Sequence, residues 1–219
     1  MKLPEEIETP LRNLLQALSE AKPEDLVPFD GTFRVKGSPV EIKVNPNTTM
    51  GELEQLISNN MTKTNNKKIL YIDMDNVLVD FQSGIDKLDE KTKERFKGFE
   101  DDIPGIFALM DPVEGAVEAV HQLAEKYDLY ILSTAPWNNP TAWCDKLNWV
   151  KKHFGGGEDS PFYKRIILTH HKNLCKGNYL IDDRPDKCGV ADFDGKVLHF
   201  GPDGDYHDWE SVVSFLMKE

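Results

Sequence analysis

Asp73 and Asp75 stand two residues apart at the point where the apolar run "KILYI" gives out. Paired carboxylates repel and are costly to desolvate, so their placement calls for something positive between them. Other apolar runs end in comparable chemistry. "LYILS" (129–133) ends in Ser133, with Thr134 next; the loop "THHKN" after "RIILT" carries Lys172; "NYLID" (178–182) ends in Asp182, with Asp183 next. Gathered at one sheet edge, these residues supply four carboxylates, two hydroxyls and one ammonium. The carboxylates call for a hard divalent cation, and Mg²⁺ is the natural one, because it accepts one or two carboxylates together with water and a phosphate oxygen. The hydroxyls and the ammonium suit an anion with several acceptor oxygens. A carboxylate nucleophile beside Mg²⁺ and a lysine is the equipment of phosphoryl transfer through an aspartyl-phosphate.

Gathering them requires a particular fold. From Lys68 the pattern alternates strand and helix. "KILYID" reads as a strand; Asp111 and Pro112 open a helix with Val113, Ala116, Val117, Val120, Leu123 and Ala124 on one side; "LYILS" is the next strand. Asn139 and Pro140 begin a helix whose stripe is Trp143, Leu147, Val150 and Phe154, ended by the glycines at 155–157. "RIILT", "NYLID" and "KVLHF" continue the strands, and "DWESVVSFLMK" closes with a helix. Continuous apolar strands between amphipathic helices predict a three-layer α/β fold with a doubly wound parallel sheet, whose site lies at the carboxyl ends of the strands. The first 66 residues read apart, as a small α-β-β-α appendage and linker, with residues 67–219 as the core. Thr9 and Pro10 start a helix carrying Leu11, Leu14, Leu15 and Leu18; "FRVKGSPVEIKV" is a hairpin; "TMGE" is a capping box; "NNMTKTNNKK" is a linker. The appendage shows no catalytic chemistry.

Composition removes several function classes. At 219 residues, 39% hydrophobic and 29% charged, the chain suits a soluble globular protein. No apolar run approaches the ~18 residues of a membrane helix, and "MKLPEEIETP" lacks the basic-then-apolar order of a secretory signal. Cys144, Cys175 and Cys188 are odd in number and fit free thiols in a reducing compartment, so a cytoplasmic location is expected. A net charge of −12 argues against tight binding to duplex nucleic acid while leaving small anionic substrates open. A homodimer is compatible with this composition.

The strand-end residues fall in the order of a known family's motifs. "DMDNV" resembles the DxDx(T/V) first motif of the haloacid dehalogenase superfamily of phosphatases; Ser133 matches its second motif, Lys172 its third, and "IDDR" its acidic fourth. More narrowly, "DMDNVLVDF", "EGAVEAV" and "LIDDRPD" look like the 5'(3')-deoxyribonucleotidases, over about residues 68–200. The resemblance implies Asp73 as nucleophile and Asp75 as the acid that protonates the leaving alkoxide and then the base that activates water. It implies Ser133, Thr134 and Lys172 on the phosphoryl oxygens, and Mg²⁺ on Asp73, the backbone carbonyl of Asp75 and an acid of the pair Asp182/Asp183, Asp182 being preferred. Asn76 stands where the family usually has Gly, and the cap between the first motif and the following helix, about residues 82–111, is short.

Some residues carry two readings. Phe81 matches an aromatic that packs on the base in the resembling family, but serves equally as core. Trp137 stacks on a base or packs on the cap. Arg184 contacts phosphate or base, or pairs with Asp186 or a sheet-edge acid. The seven apolar residues available to cover a planar base are Phe81, Phe96, Phe99, Ile103, Ile106, Phe107 and Trp137. The expected activity is therefore Mg²⁺-dependent hydrolysis of a small phosphomonoester, a (deoxy)nucleoside monophosphate first. A sugar or cofactor phosphate is the alternative, and a binding module that no longer turns over is the reading from a different class.

Overall fold

The computed structural model describes residues 31–34, 41–45, 47–53, 55–56 and 67–219, and the chain divides into two compact units, Met1–Asn66 and Lys67–Glu219. In the first unit, β1 (Gly31–Arg34) and β2 (Glu41–Val44) pair antiparallel with Phe33 opposite Ile42, the hairpin the alternation predicts. The capping box is present: Thr49 N–H donates to Glu52 Oε2 (2.8 Å) and Glu52 N–H to Thr49 Oγ1 (3.3 Å). The helix expected over residues 9–18 and most of the expected linker lie outside the described residues.

The second unit is built on a five-stranded parallel sheet. Its strands are β3 (Ile69–Ile72), β6 (Asp128–Ser133), β7 (Ile166–Leu168), β8 (Lys176–Asp182) and β9 (Asp194–His199), in the spatial order β7-β6-β3-β8-β9. Alternation along β3 sends its residues to two faces. Leu70 and Ile72 join the larger core; Tyr71 joins Leu132 and Leu180 under Val190 of a 3-10 turn and Phe193 just after it. Burial on both faces explains why these strands read as unbroken apolar runs.

Helices cover the larger core. The helix α4 (Ala116–Ala124) buries Ala116, Ala119, Val120 and Leu123, and α6 (Trp209–Leu216) buries Trp209, Val212 and Leu216, at i, i+3, i+4 and i+7 spacing. Asp208 caps α6 in a reciprocal box with Ser211. Between β3 and α4 lies the cap: β4 (Val79–Asp80), α1 (Phe81–Asp86), α2 (Glu90–Arg95), α3 (Ile106–Leu109) and β5 (Asp111–Pro112).

Two sequence expectations are corrected. Asp111 and Pro112 do not open α4; they pair antiparallel with Val79 and Asp80, closing the neck of the cap, and α4 starts after Gly115. The competing interactions decide it, because Asp111 N–H is taken by Ser83 Oγ (2.8 Å) and Val113 N–H by Leu78 O (2.9 Å). The helix α5 (Thr141–Phe154) keeps Val150 and Phe154 of its expected stripe inward but turns Trp143 and Leu147 out. It buries Ala142, Lys146, Trp149, Val150 and Phe154, while Trp143 is 53% and Leu147 41% exposed.

Candidate active site

The sheet order reverses direction beside β3, since β6 and β7 follow on one side and β8 and β9 on the other. Crevices form at such switch points because successive connections leave on opposite faces. Asp73 leaves β3 there, its N–H donating to Ile181 O of β8 (2.9 Å), and its Oδ1 accepts from Met74 N–H (2.8 Å). A tight turn follows, with the N–H groups of Leu78 and Val79 both donating to Met74 O (2.8 and 2.9 Å). The Trp209 indole N–H ties the turn down by donating to Val77 O (2.9 Å).

Asp73 lies on the acidic side of the crevice. The Lys172 ammonium, almost wholly buried, sits 3.0 Å from Asp73 Oδ2 and 2.5 Å from Asp182 Oδ2. Asp182 also accepts from Arg184 N–H through Oδ1 (2.9 Å). Burial works against the charge on Lys172, but the facing Asp73 and Asp182 carboxylates prevail and raise its pKa. Burial, with the Asp73 charge, pushes Asp182 up to about 6. Asp183 is raised too, first by burial, against the hydrogen bond from Asn76 that favours its charge.

Asp73, Asp182 and Asp183 each offer an oxygen within 4.8 Å of the others. Asp183 Oδ1 is buried without a hydrogen-bond partner. An all-oxygen donor set with an orphaned carboxylate oxygen fits a hard divalent cation such as Mg²⁺. The Asp75 side chain is not in that group. Its place among the expected metal residues rests on its backbone carbonyl alone.

Asp75 faces a different cation. Its Oδ2 lies 2.7 Å from the Nζ of Lys146, a side chain with no exposed surface, which also donates to Ser133 Oγ (3.0 Å) and stands 4.7 Å from the centre of the Phe107 ring of the cap. Burial raises the pKa of Asp75 in spite of Lys146, and the neighbouring Asp73 charge adds to the rise. Asp75 Oδ1 is left without a partner.

Lys146 is the residue sequence reasoning missed, because a lysine beside Asp145 on an amphipathic helix reads as solvated. A signal was there. Ala142, Lys146, Trp149 and Val150 lie at i, i+4, i+7 and i+8, so a face built on Trp149 rather than Trp143 puts the lysine in the core.

The remaining predicted residues divide. Ser133 and Thr134 are buried at the end of β6. Phe81 is half-buried and packs edge-on against Phe107, with ring centroids 5.9 Å apart. Ile103, Ile106 and Phe107 belong to the core, which takes three of the seven residues expected to cover a base. Phe99 and Trp137 are 66% and 89% exposed. Arg184 is half-exposed, and its Nε stands 3.7 Å from Asp183 Oδ1, so of its rival readings the sheet-edge acid is the contact present.

The loop that holds Trp137 is fixed to the cap. The buried Asn139 amide donates to Asp101 O (2.9 Å) and Ile103 O (2.8 Å), and Gly105 N–H donates to Thr141 Oγ1 (2.9 Å).

The chain is similar to known proteins. Residues 88–211 match the family described as "5' nucleotidase, deoxy (Pyrimidine), cytosolic type C protein". That segment holds Ser133, Lys146, Lys172 and Asp182; Asp73 and Asp75 precede it. A protein of Vibrio phage KVP40 assigned as a 5'(3')-deoxyribonucleotidase is 53% identical over 157 residues, covering 72% of this chain and 89% of its own. A Staphylococcus epidermidis protein with the same assignment is 36% identical over 99 residues, 44% of this chain and 50% of its own. The 5'(3')-deoxyribonucleotidase, mitochondrial, of Mus musculus is 37% identical over 86 residues, 38% of this chain and 37% of its own.

Proposed function

This chain belongs to the family of 5' nucleotidase, deoxy (Pyrimidine), cytosolic type C proteins and is a phosphatase of the haloacid dehalogenase type, and on that premise we propose that it removes phosphate from deoxynucleoside monophosphates through an aspartyl-phosphate on Asp73. One observation carries the mechanism. Two aspartates of one turn are held by different buried lysines, Asp73 by Lys172 and Asp75 by Lys146.

The two environments suit two roles. An Asp73 carboxylate oxygen attacks phosphorus, and the bond to the nucleoside oxygen breaks. Asp75, whose raised pKa favours the protonated form, gives its proton to that leaving oxygen from the unpartnered side of the carboxyl group. The resulting Asp75 carboxylate takes a proton from the water that attacks the phosphorus of the aspartyl-phosphate, releasing phosphate and restoring Asp73. Ser133, Thr134 and Lys172 bind the phosphoryl oxygens as charge develops on them. Lys146 keeps Asp75 in place and stabilises its charged form between the steps.

Asp73, Asp182 and Asp183 would hold the cation, with the backbone carbonyl of Asp75. When bound there, Mg²⁺ supplies positive charge against the phosphoryl oxygens and the attacking carboxylate. The free thiols of Cys144, Cys175 and Cys188 suit the reducing cytoplasm, and no helix among the described residues is long and apolar enough to cross a membrane.

The nucleotide class is tested by ranking kcat/KM for deoxynucleoside monophosphates against hexose and triose phosphates in Mg²⁺. The nucleotides are expected to lead. The short cap, with three of its apolar side chains spent on the core, favours the rival view, a small sugar phosphate. A hexose phosphate ahead of every nucleotide by tenfold, about 1.4 kcal/mol of differential transition-state binding, retires the nucleotide and leaves the phosphatase chemistry.

A further inference from the structure

Asn76 follows the acid/base residue and adopts a left-handed backbone conformation, with φ of 57°. That region costs a side-chain-bearing residue energy, and glycine enters it freely. The turn itself does not need the asparagine side chain. Asn76 closes it through its backbone N–H, which donates to Val79 O (2.8 Å), a bond glycine would keep. The side chain is used elsewhere. Its Nδ2 donates to Asp183 Oδ2 (3.1 Å), 107 residues away, just past the end of β8.

That bond is placed to matter. Asp183 follows the end of β8, and its other oxygen, Oδ1, is buried with no hydrogen-bond partner; Arg184 Nε, at 3.7 Å, is beyond hydrogen-bond distance. Among the described residues the Asn76 amide is the one hydrogen-bond donor on the Asp183 carboxylate. Without it, a carboxylate facing Asp73 and Asp182 is pushed outward by like charge.

We propose that Asn76 is a positioning residue for the cation site, whose amide holds Asp183 in the group with Asp73 and Asp182 and leaves Asp183 Oδ1 free for the metal. The inference rests on the metal-dependent reading of the site given above. Hydrogen bonds of this kind orient carboxylate ligands, and removing one typically weakens metal binding by about 10–100-fold.

The test is Asn76→Gly in the full chain, titrated by calorimetry with Mg²⁺ and, separately, Mn²⁺, and melted in EDTA and in excess Mg²⁺. Glycine fits the backbone, so the variant is expected to melt in EDTA at or above the wild-type temperature. Its Mg²⁺ dissociation constant should rise about tenfold, and kcat should return towards wild type as Mg²⁺ is raised. In an Asp183→Ala background the same change should have no further effect on the dissociation constant, because the carboxylate it orients is gone.

Unchanged metal affinity in Asn76→Gly, beside normal binding in the wild type, overturns the role of Asn76 and leaves the metal site standing. An equal loss in the Asp183→Ala background overturns the route through Asp183. A wild type that shows neither heat of binding nor a Mg²⁺-dependent melting shift overturns the metal reading, and this inference with it.

Discussion

Lys172 and Lys146 are both buried, and each faces one of two aspartates only two residues apart in sequence. They reach the crevice by different routes. Lys172 comes from the connection between β7 and β8, on a short 3-10 turn fixed by its own N–H to Cys188 O (2.8 Å). Lys146 comes from the middle of α5, threading its stem through the core so that its ammonium meets Asp75, Ser133 and the Phe107 ring. The first faces Asp73 and Asp182, two of a group of three carboxylates completed by Asp183, and the second serves one carboxylate and one hydroxyl. The difference teaches that the two halves of the site have separate charge balances. One gathers excess negative charge of the kind a cation would offset; the other is balanced within the chain.

Substituting the two aspartates should separate the halves most sharply. Asp73→Asn removes the attacking group and is expected to lower kcat by more than about a thousandfold, on the order of 4 kcal/mol of barrier, with no burst of nitrophenol from p-nitrophenyl phosphate. Asp75→Asn leaves the nucleophile in place, and nitrophenolate leaves without needing a proton. Rapid mixing should then show one equivalent of nitrophenol released quickly, followed by slow turnover, because the water step lacks its base. A burst from Asp73→Asn, or an equally complete loss of both phases in Asp75→Asn, would mean that the two carboxylates do not divide the work this way.

Lys146→Met tests the balanced half. Breaking a buried ion pair by removing one partner costs about 3–5 kcal/mol because the other charge is left buried. The loss should be greatest at high pH, where Asp75 is charged, and should shrink as pH falls and Asp75 takes up a proton. With its cation gone the pKa of Asp75 rises further, so the limb of the pH–rate profile that reports this group should move to higher pH. A profile that stays in place while stability falls would assign Lys146 to packing alone.

The contrast between the lysines also accounts for what was legible in the sequence. Residues that end strands were readable because a parallel sheet sends the carboxyl ends of its strands to one edge. Asp73, Ser133 and Asp182 needed only the strand assignment to be placed together. Lys146 required the facing of a helix, and two tryptophans of equal size offered competing faces; Trp143, the one expected to face inward, is the exposed one. The start of α4 was misjudged for a related reason. A proline after an aspartate is a sound helix opening, but the backbone groups there had stronger partners across the neck of the cap. Asn76 showed only as a departure from the resembling motif, since its bond to Asp183 joins positions that the chain separates by most of the sheet.

Asp182 provides a test with the sign of its pH dependence fixed in advance. Its pKa in the folded chain is raised to about 6, above the ordinary carboxylate value of 3.8. Between these values the native state binds more protons than the unfolded one, so without metal Asp182 lowers stability as pH rises, and the penalty is complete above about pH 6. Asp182→Asn, a neutral mimic of the protonated acid, should therefore melt above the wild type in EDTA at pH 7.5, by an amount on the order of 3 kcal/mol. The difference should fade as pH drops through 6 towards 4. A variant that melts lower than the wild type at pH 7.5 would mean that the contacts from Lys172 and the Arg184 amide outweigh burial.

The smallest effect belongs to the rim, where the balance of charge no longer decides. Trp137 is 89% exposed in the loop after β6, so replacing it by alanine removes little from the core and should leave stability within about 0.5 kcal/mol of wild type. Asn139 and Thr141 hold the same loop to the cap, so the ring is carried on a fixed support in the loop that follows Thr134. A stacked base is worth about 1–3 kcal/mol when the aromatic partner is removed, and an exposed ring belongs at the low end of that range. Trp137→Ala is therefore expected to raise KM for a deoxynucleoside monophosphate about fivefold with kcat nearly unchanged. Inorganic phosphate, which has no base, should inhibit the variant and the wild type equally. Phe81→Ala offers the contrast, because Phe81 is half-buried against Phe107 and its removal should cost stability before it costs affinity. If Trp137→Ala leaves KM untouched while Phe81→Ala raises it at constant stability, the base is held from inside the cap and the exposed tryptophan has no part in binding it.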